Sequence, residues 1–285
     1  MGTGNSRSFA VVTDSTADIP AAVCEQQGIT VVRLNVNFGS ESMLDGDLTQ
    51  PEFFARMKAS PTLPTTSQPS VGAFVEVYEE LLKTADQIVS IHISNKLSGT
   101  VESATQAAER FDGRVHVFDS LTLSAEEAFF VDDAVESAKA GLTPEAAIER
   151  LEAMRGRTNM IVGFDTLENL SKGGRIGKVS AFLGTMLNVK VTLTVDDQGA
   201  FHPVARSRGE KAALEHTVNW VKEQMGQATS GKFFVLHAMS AERAHRIADE
   251  IAGLFPGSDI SVREVGSVIA AHTGTAWGVA LLPNE

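Results

Sequence analysis

Along the 285 residues of this chain, short apolar runs rich in β-branched residues alternate with stretches whose apolar positions recur every three or four residues. The first pattern marks strands buried on both faces and the second amphipathic helices, so the alternation predicts βα units around a parallel sheet. Strands are expected at Phe9–Thr13, Ile29–Val36, Ile88–Ile93 and Val115–Phe118. Between them fall a helix from Pro20 to Gly28, one started by a Thr49/Glu52 capping box, one capped by Ser70, and one carrying Val101, Ala104, Ala107 and Ala108 on one face. Ala125–Ala140 and Thr143–Met154 read as two further helices. The stretch Ser60–Ser70, SPTLPTTSQPS, combines three prolines with a run of hydroxyls and reads as a loop without regular structure.

After Thr158 the rhythm changes. A strand at Met160–Phe164, a short helix at Leu167–Ser171 ended by Gly173 and Gly174, and a hairpin of Val191–Val195 with Phe201–Ala205 precede the helix Glu210–Met225, the strand Phe233–Leu236, the helix Ala241–Leu254 and the strand Ile260–Val265. The closing segment, Ala270–Gly278, reads as a glycine- and hydroxyl-rich loop. The expected architecture is a two-lobed α/β protein: residues 1–157 form an N-terminal parallel-sheet lobe, and residues 158–285 an α/β lobe that is α+β in part.

Composition narrows the function. With 43% hydrophobic residues the chain can build a large core, while a net charge of -12 excludes nucleic acid and anionic membrane as electrostatic partners. The single cysteine, Cys24, excludes a disulfide framework and fits a reducing compartment, as a small buried apolar residue. No apolar run approaches the roughly eighteen residues a spanning helix needs, and the leader lacks the apolar centre of a secretion signal, so a cytoplasmic location is expected.

The stretch from Gln87 to Phe111 passes from strand to helix within a few residues, and Asn95–Thr100 is the turn between them. Such a turn aims backbone N–H groups and the positive end of a helix dipole at one point, which suits an anion. Gly99 lets a ligand approach the backbone, and Ser98 and Thr100 either donate hydroxyls to it or cap the helix.

Five segments in order, DSTADIP at Asp14, TSQPS at Thr66, LSGT at Leu97, KGGRI at Lys172 and HTGT at His272, resemble the DegV family of bacterial proteins over nearly the whole chain. The resemblance implies a two-lobed protein that encloses one long-chain fatty acid between its lobes, like the fatty-acid-binding subunit (FakB) of bacterial fatty acid kinase. It implies no cofactor and no catalysis by this chain: a separate kinase subunit (FakA) phosphorylates the carboxylate, in service of phospholipid metabolism. Carried over by motif, Thr66, Ser67, Ser98, the Gly99 N–H and His272 address the carboxylate, and Arg206 or Arg208 docks the kinase. The chain departs from the family at Asn95, Val101 and Val191, and at Glu126 and Ala128, where two glycines are usual.

A hydrolase with Ser98 as nucleophile and His272 as base is the alternative the residue types permit, although Leu97-Ser98-Gly99 lacks the first glycine of a nucleophile elbow. The scattered histidines offer no H-E-x-x-H or cysteine pair for a metal.

Overall fold

The computed structural model describes residues 7–182 and 188–284. The chain runs β1 (Ala10–Asp14), α1 (Ala21–Gln27), β2 (Ile29–Val32), β3 (Asn35–Phe38), β4 (Glu41–Leu44), α2 (Gln50–Ala59), β5 (Thr65–Ser67), α3 (Val71–Leu81), β6 (Ile88–His92), α4 (Thr100–Ala108), β7 (Val115–Asp119), α5 (Ser124–Lys139) and α6 (Pro144–Met154). It continues through β8 (Asn159–Phe164), α7 (Glu168–Lys172), β9 (Val189–Val195), β10 (Phe201–Arg208), α8 (Glu210–Met225), β11 (Gly231–Ala238), α9 (Ala241–Leu254), β12 (Asp259–Glu264), α10 (Ser267–Thr273) and β13 (Ala276–Pro283). Two compact units emerge, one reaching Leu34 and resuming from Gln68 to Gly156, the other holding Asn35–Ser67 and the chain from Arg157 onward. A single division at 157/158 therefore does not describe the chain, because residues 35–67 leave the first unit and pack with the second.

The first unit is a four-stranded sheet in the order β2-β1-β6-β7, parallel throughout. Every residue of β6 is buried, as a strand covered on both faces requires. Phe74, Val75 and Tyr78 of α3 and Ala104, Ala107 and Ala108 of α4 pack on Val12, Ile88 and Val115. α5 lies against β1 and β6, burying Phe129, Phe130 and Val131. The expected caps are present: Ser70 Oγ accepts the Ala73 N–H at 3.1 Å.

In the second unit a six-stranded sheet has the order β10-β9-β8-β13-β11-β12, antiparallel except for the β11/β12 pair. One face carries α8 and α9, whose Leu214, Val218, Val221, Ile247 and Ile251 pack with Phe233, Trp277, Val279 and Leu281. A separate antiparallel sheet, β4-β3-β5, is built entirely from residues 35–67. Glu52 accepts both the N–H and the hydroxyl of Thr49, starting α2 as expected. Gln50 on α2 donates to the carbonyls of His237 and Val265 and accepts from the Met239 N–H, which stitches this segment to the end of β11.

Three expectations need correction. Ile29–Val36 is not one strand: Leu34, whose N–H donates to Ser15 Oγ, separates β2 from β3, and the two belong to different sheets. The hydroxyl-rich stretch is not wholly irregular, since Thr65–Ser67 pairs with Asn35–Asn37 while Pro64 and Pro69 stand outside the ladder. The closing segment is not a loop but α10 followed by β13, an inner strand of the larger sheet. Ala276, Gly278 and Ala280 alternate there with Trp277, Val279 and Leu281, and these small residues conceal the period of two. Gly278 has to be small, because a Cβ there would lie 2.9 Å from the Ile161 carbonyl oxygen.

Candidate functional site

In the first unit the chain steps from β1 to β2 in one direction and from β6 to β7 in the other, so the order of the sheet reverses between β1 and β6. Ligands of open parallel sheets bind beyond the carboxyl ends of the strands at such a point. The segments that follow those two ends are Asp14–Asp18 and Ile93–Thr100, two of the motifs singled out from the sequence.

Asp14 ties the two strand ends together. One carboxylate oxygen accepts the Thr16 N–H at 2.9 Å and the Thr16 hydroxyl; the other accepts the Ile93 N–H at 3.2 Å and meets His92 Nδ1 at 3.0 Å. His92 Nε2 lies 2.7 Å from Ser90 Oγ, which lies 2.8 Å from the Tyr78 hydroxyl. Asp14, His92 and Ser90 have the order of a hydrolytic triad, yet Ser90 is 0% exposed and engaged by Tyr78, so the chain of bonds braces β6 rather than offering a nucleophile. Nearby, Glu126 and Ala128 occupy the start of α5 where the family resemblance led us to expect glycine, and Glu127 lies between them. Glu126 accepts the Thr122 hydroxyl at 2.5 Å and Glu127 the Thr13 hydroxyl at 3.1 Å. Complete burial, with Asp14 close by, pushes the Glu127 carboxyl well above its usual range.

The turn after β6 places Ser98 half-buried, its hydroxyl 2.8 Å from Thr100 Oγ1. Neither hydroxyl caps α4. Gly99 holds the cap position and makes no side-chain cap bond, so the first N–H groups of the helix have no capping side chain at that position. The space beside Gly99 is taken by Gln68, whose amide donates to the Gly99 carbonyl and to Ser103 Oγ.

In the second unit Thr66 Oγ1 lies 2.8 Å from His272 Nε2. Neighbouring strand residues face opposite ways, and Ser67 is exposed, apart from that pair. Gly173 explains how the ring fits: a Cβ there would stand 2.4 Å from His272 Nδ1. Among the described residues Nδ1 has no hydrogen-bond partner. Burial, and then the Arg175 charge, pull the imidazole down to about 4, so it is neutral at pH 7. Asn169 holds α10 through the Ala271 carbonyl at 3.1 Å, and Asp45 holds its other end through the Val268 N–H at 3.2 Å.

Within the units, then, Thr66 meets His272, and Ser98 meets Thr100 beside Gly99. These pairings weigh against a Ser98/His272 hydrolase, since each reacting atom already has another partner and a base titrating near 4 is weak. Arg206 and Arg208 are both exposed on β10, an edge strand, on either side of the half-buried Ser207. Sequence reasoning passed over Gln68 and the role of Gly173, although both stand inside quoted motifs. Among the described residues no group of three or more His, Cys, Asp or Glu is placed to hold a metal, and no helix is long and apolar enough to cross a membrane.

A reversing parallel sheet with a hydroxyl-bearing turn beyond its strands, joined to a mixed-sheet unit that carries a Thr–His pair, defines a class of two-unit α/β proteins. This chain belongs to the DegV family, whose model, described as "Uncharacterised protein, DegV family", matches residues 8–284. It is 35% identical over 277 residues to the DegV domain-containing protein YejH of Lactococcus lactis, covering 95% of this chain and 98% of that protein. A DegV family protein from Thermus thermophilus, described by its fatty acid binding, superposes with a TM-score of 0.92 at 37% identity, covering 98% of this chain and 100% of the other. DegV of Bacillus subtilis, described as a fatty acid binding protein, gives 0.89 at 34% identity, with 98% and 100% covered.

Proposed function

We propose that this chain binds one long-chain fatty acid without transforming it, and presents it in the cytoplasm to a kinase subunit of the FakA type. The carboxylate is held by Thr66, Ser98 and the Gly99 N–H, with His272 behind Thr66, and the acyl chain lies in an apolar tunnel. The observation that carries this reading is the Thr66–His272 pair. Nδ1 of the neutral His272 has no hydrogen-bond partner among the described residues, and with the ring proton on Nε2 that nitrogen donates to Thr66 Oγ1. The hydroxyl hydrogen of Thr66 is then left to donate elsewhere, and a carboxylate leaving water needs such donors. Neutral donors suit a carboxylate that must later attack phosphorus, because a bidentate arginine would occupy its oxygens. Two structural relatives described as binding fatty acids support the ligand class, and the exposed Arg206 and Arg208 on a chain of net charge -12 support a docking role.

Mass spectrometry of lipid extracted from protein purified out of bacteria tests the ligand. A fatty acid in about one-to-one ratio is expected; no lipid, together with no uptake of added oleate or palmitate, would refute the proposal.

A further inference from the structure

We infer that Gln68 is a positioning residue for the Ser98 turn, an inference that rests on the fatty-acid reading above. Its carboxamide nitrogen donates to the Gly99 carbonyl and to Ser103 Oγ, each at 3.1 Å. The same carbonyl accepts the Ser103 N–H at 3.0 Å, so the side chain and the first turn of α4 share one acceptor, which its two lone pairs allow. The Gly99 C=O and the Thr100 N–H lie in one rigid peptide plane, so fixing the carbonyl fixes the direction of the Thr100 N–H and holds one end of Gly99, whose own N–H is assigned to the carboxylate. The backbone does not demand glycine at 99, because its φ of -80° is open to any residue. Space does. A Cβ there would lie 2.3 Å from Gln68 Oε1 and 2.5 Å from Nε2. Glycine at 99 is the seat of the Gln68 amide, and the two residues form a matched pair that sets the geometry of the anion turn. Gln68 is itself exposed, so replacing it removes the tie without opening the core.

Binding of oleate and of oleyl alcohol, which shares its tail but lacks the carboxylate, separates positioning from general stability in the wild type, Gln68→Ala, Gly99→Ala and the double variant. Gln68→Ala should weaken oleate binding by about five- to tenfold, as loss of a hydrogen bond supporting the donors implies, and leave oleyl alcohol unchanged. Because an added methyl evicts a flexible side chain, Gly99→Ala should reproduce that loss, and the double variant should add less than about twofold. Unchanged oleate binding in Gln68→Ala, equal losses for both ligands, or fully additive losses in the double variant would each overturn the inference while the wild type still binds oleate. A wild type that binds neither ligand would overturn the fatty-acid reading itself, and this inference with it.

Discussion

Replacing Thr66 with valine separates the two duties assigned to its hydroxyl. Valine keeps the shape and strand preference of threonine, so β5 should still pair with β3 through Val36. Two hydrogen bonds are lost, one to His272 Nε2, 2.8 Å away, and one to the proposed carboxylate. The first loss acts on the protein without ligand: an imidazole nitrogen left unpaired in a mostly buried setting costs about 1–3 kcal/mol of folding stability. The second acts on binding, where a hydrogen bond to a charged group contributes about 1.5–3 kcal/mol, or roughly 10- to 150-fold in affinity. Urea denaturation of delipidated protein measures the first, and calorimetric titration with oleate the second. Lower stability with oleate affinity unchanged within about twofold would show that Thr66 only anchors His272 and that the carboxylate lies elsewhere.

Gly173→Ala should push the His272 ring aside by its 2.4 Å clash, costing about 1–3 kcal/mol of stability and weakening oleate binding at least severalfold; a crystal structure with the ring unmoved would contradict this. His272 titrates near 4 in the folded chain against 6.5 unfolded, so the unfolded state binds more protons between these values. Its contribution, at most about 3 kcal/mol, is complete above pH 6.5 and falls away toward pH 4. The difference in unfolding free energy between wild type and His272→Gln should shrink over that window; a constant difference would refute the assignment. Glu127 has the opposite sign, since its raised value makes it a cost that grows as pH rises above the ordinary carboxylate range, so Glu127→Gln should raise the melting temperature at pH 8 more than at pH 5. Reversing Arg206 and Arg208 together to glutamate should leave oleate binding intact but abolish acyl-phosphate formation with a FakA-type kinase and ATP, as read by phosphate transfer from labelled ATP.

The first unit was legible because its signals are local. Buried runs such as Ile88–His92, the Ser70 cap and the change of period after Ile93 each fit inside a window of about ten residues. What stayed hidden depends on partners distant in sequence. Thr65–Ser67 is too short to declare itself a strand without Asn35–Asn37, and nothing local to Asn35–Ser67 states that it packs with elements beyond Arg157. β13 was concealed by two alanines and by Gly278, whose smallness answers to the backbone of a neighbouring strand. For the site, the motifs identified the hydroxyls, whereas the reason for Gly99 and Gly173 is the side chain each one admits.

The path of residues 35–67 also bears on how the protein is made. During synthesis the strands of the first sheet are complete once Asp119 has emerged, but the segment that interrupts it packs with partners encoded after Arg157. At a synthesis rate of about 5–20 residues per second, the chain beyond Gly156 takes on the order of ten seconds to appear. Throughout that interval β3 and β5, with the Thr66 hydroxyl between Pro64 and Pro69, form a tethered loop whose packing partners do not yet exist. A proline on either side of so short a strand limits how far its open edge can extend by pairing with another nascent chain.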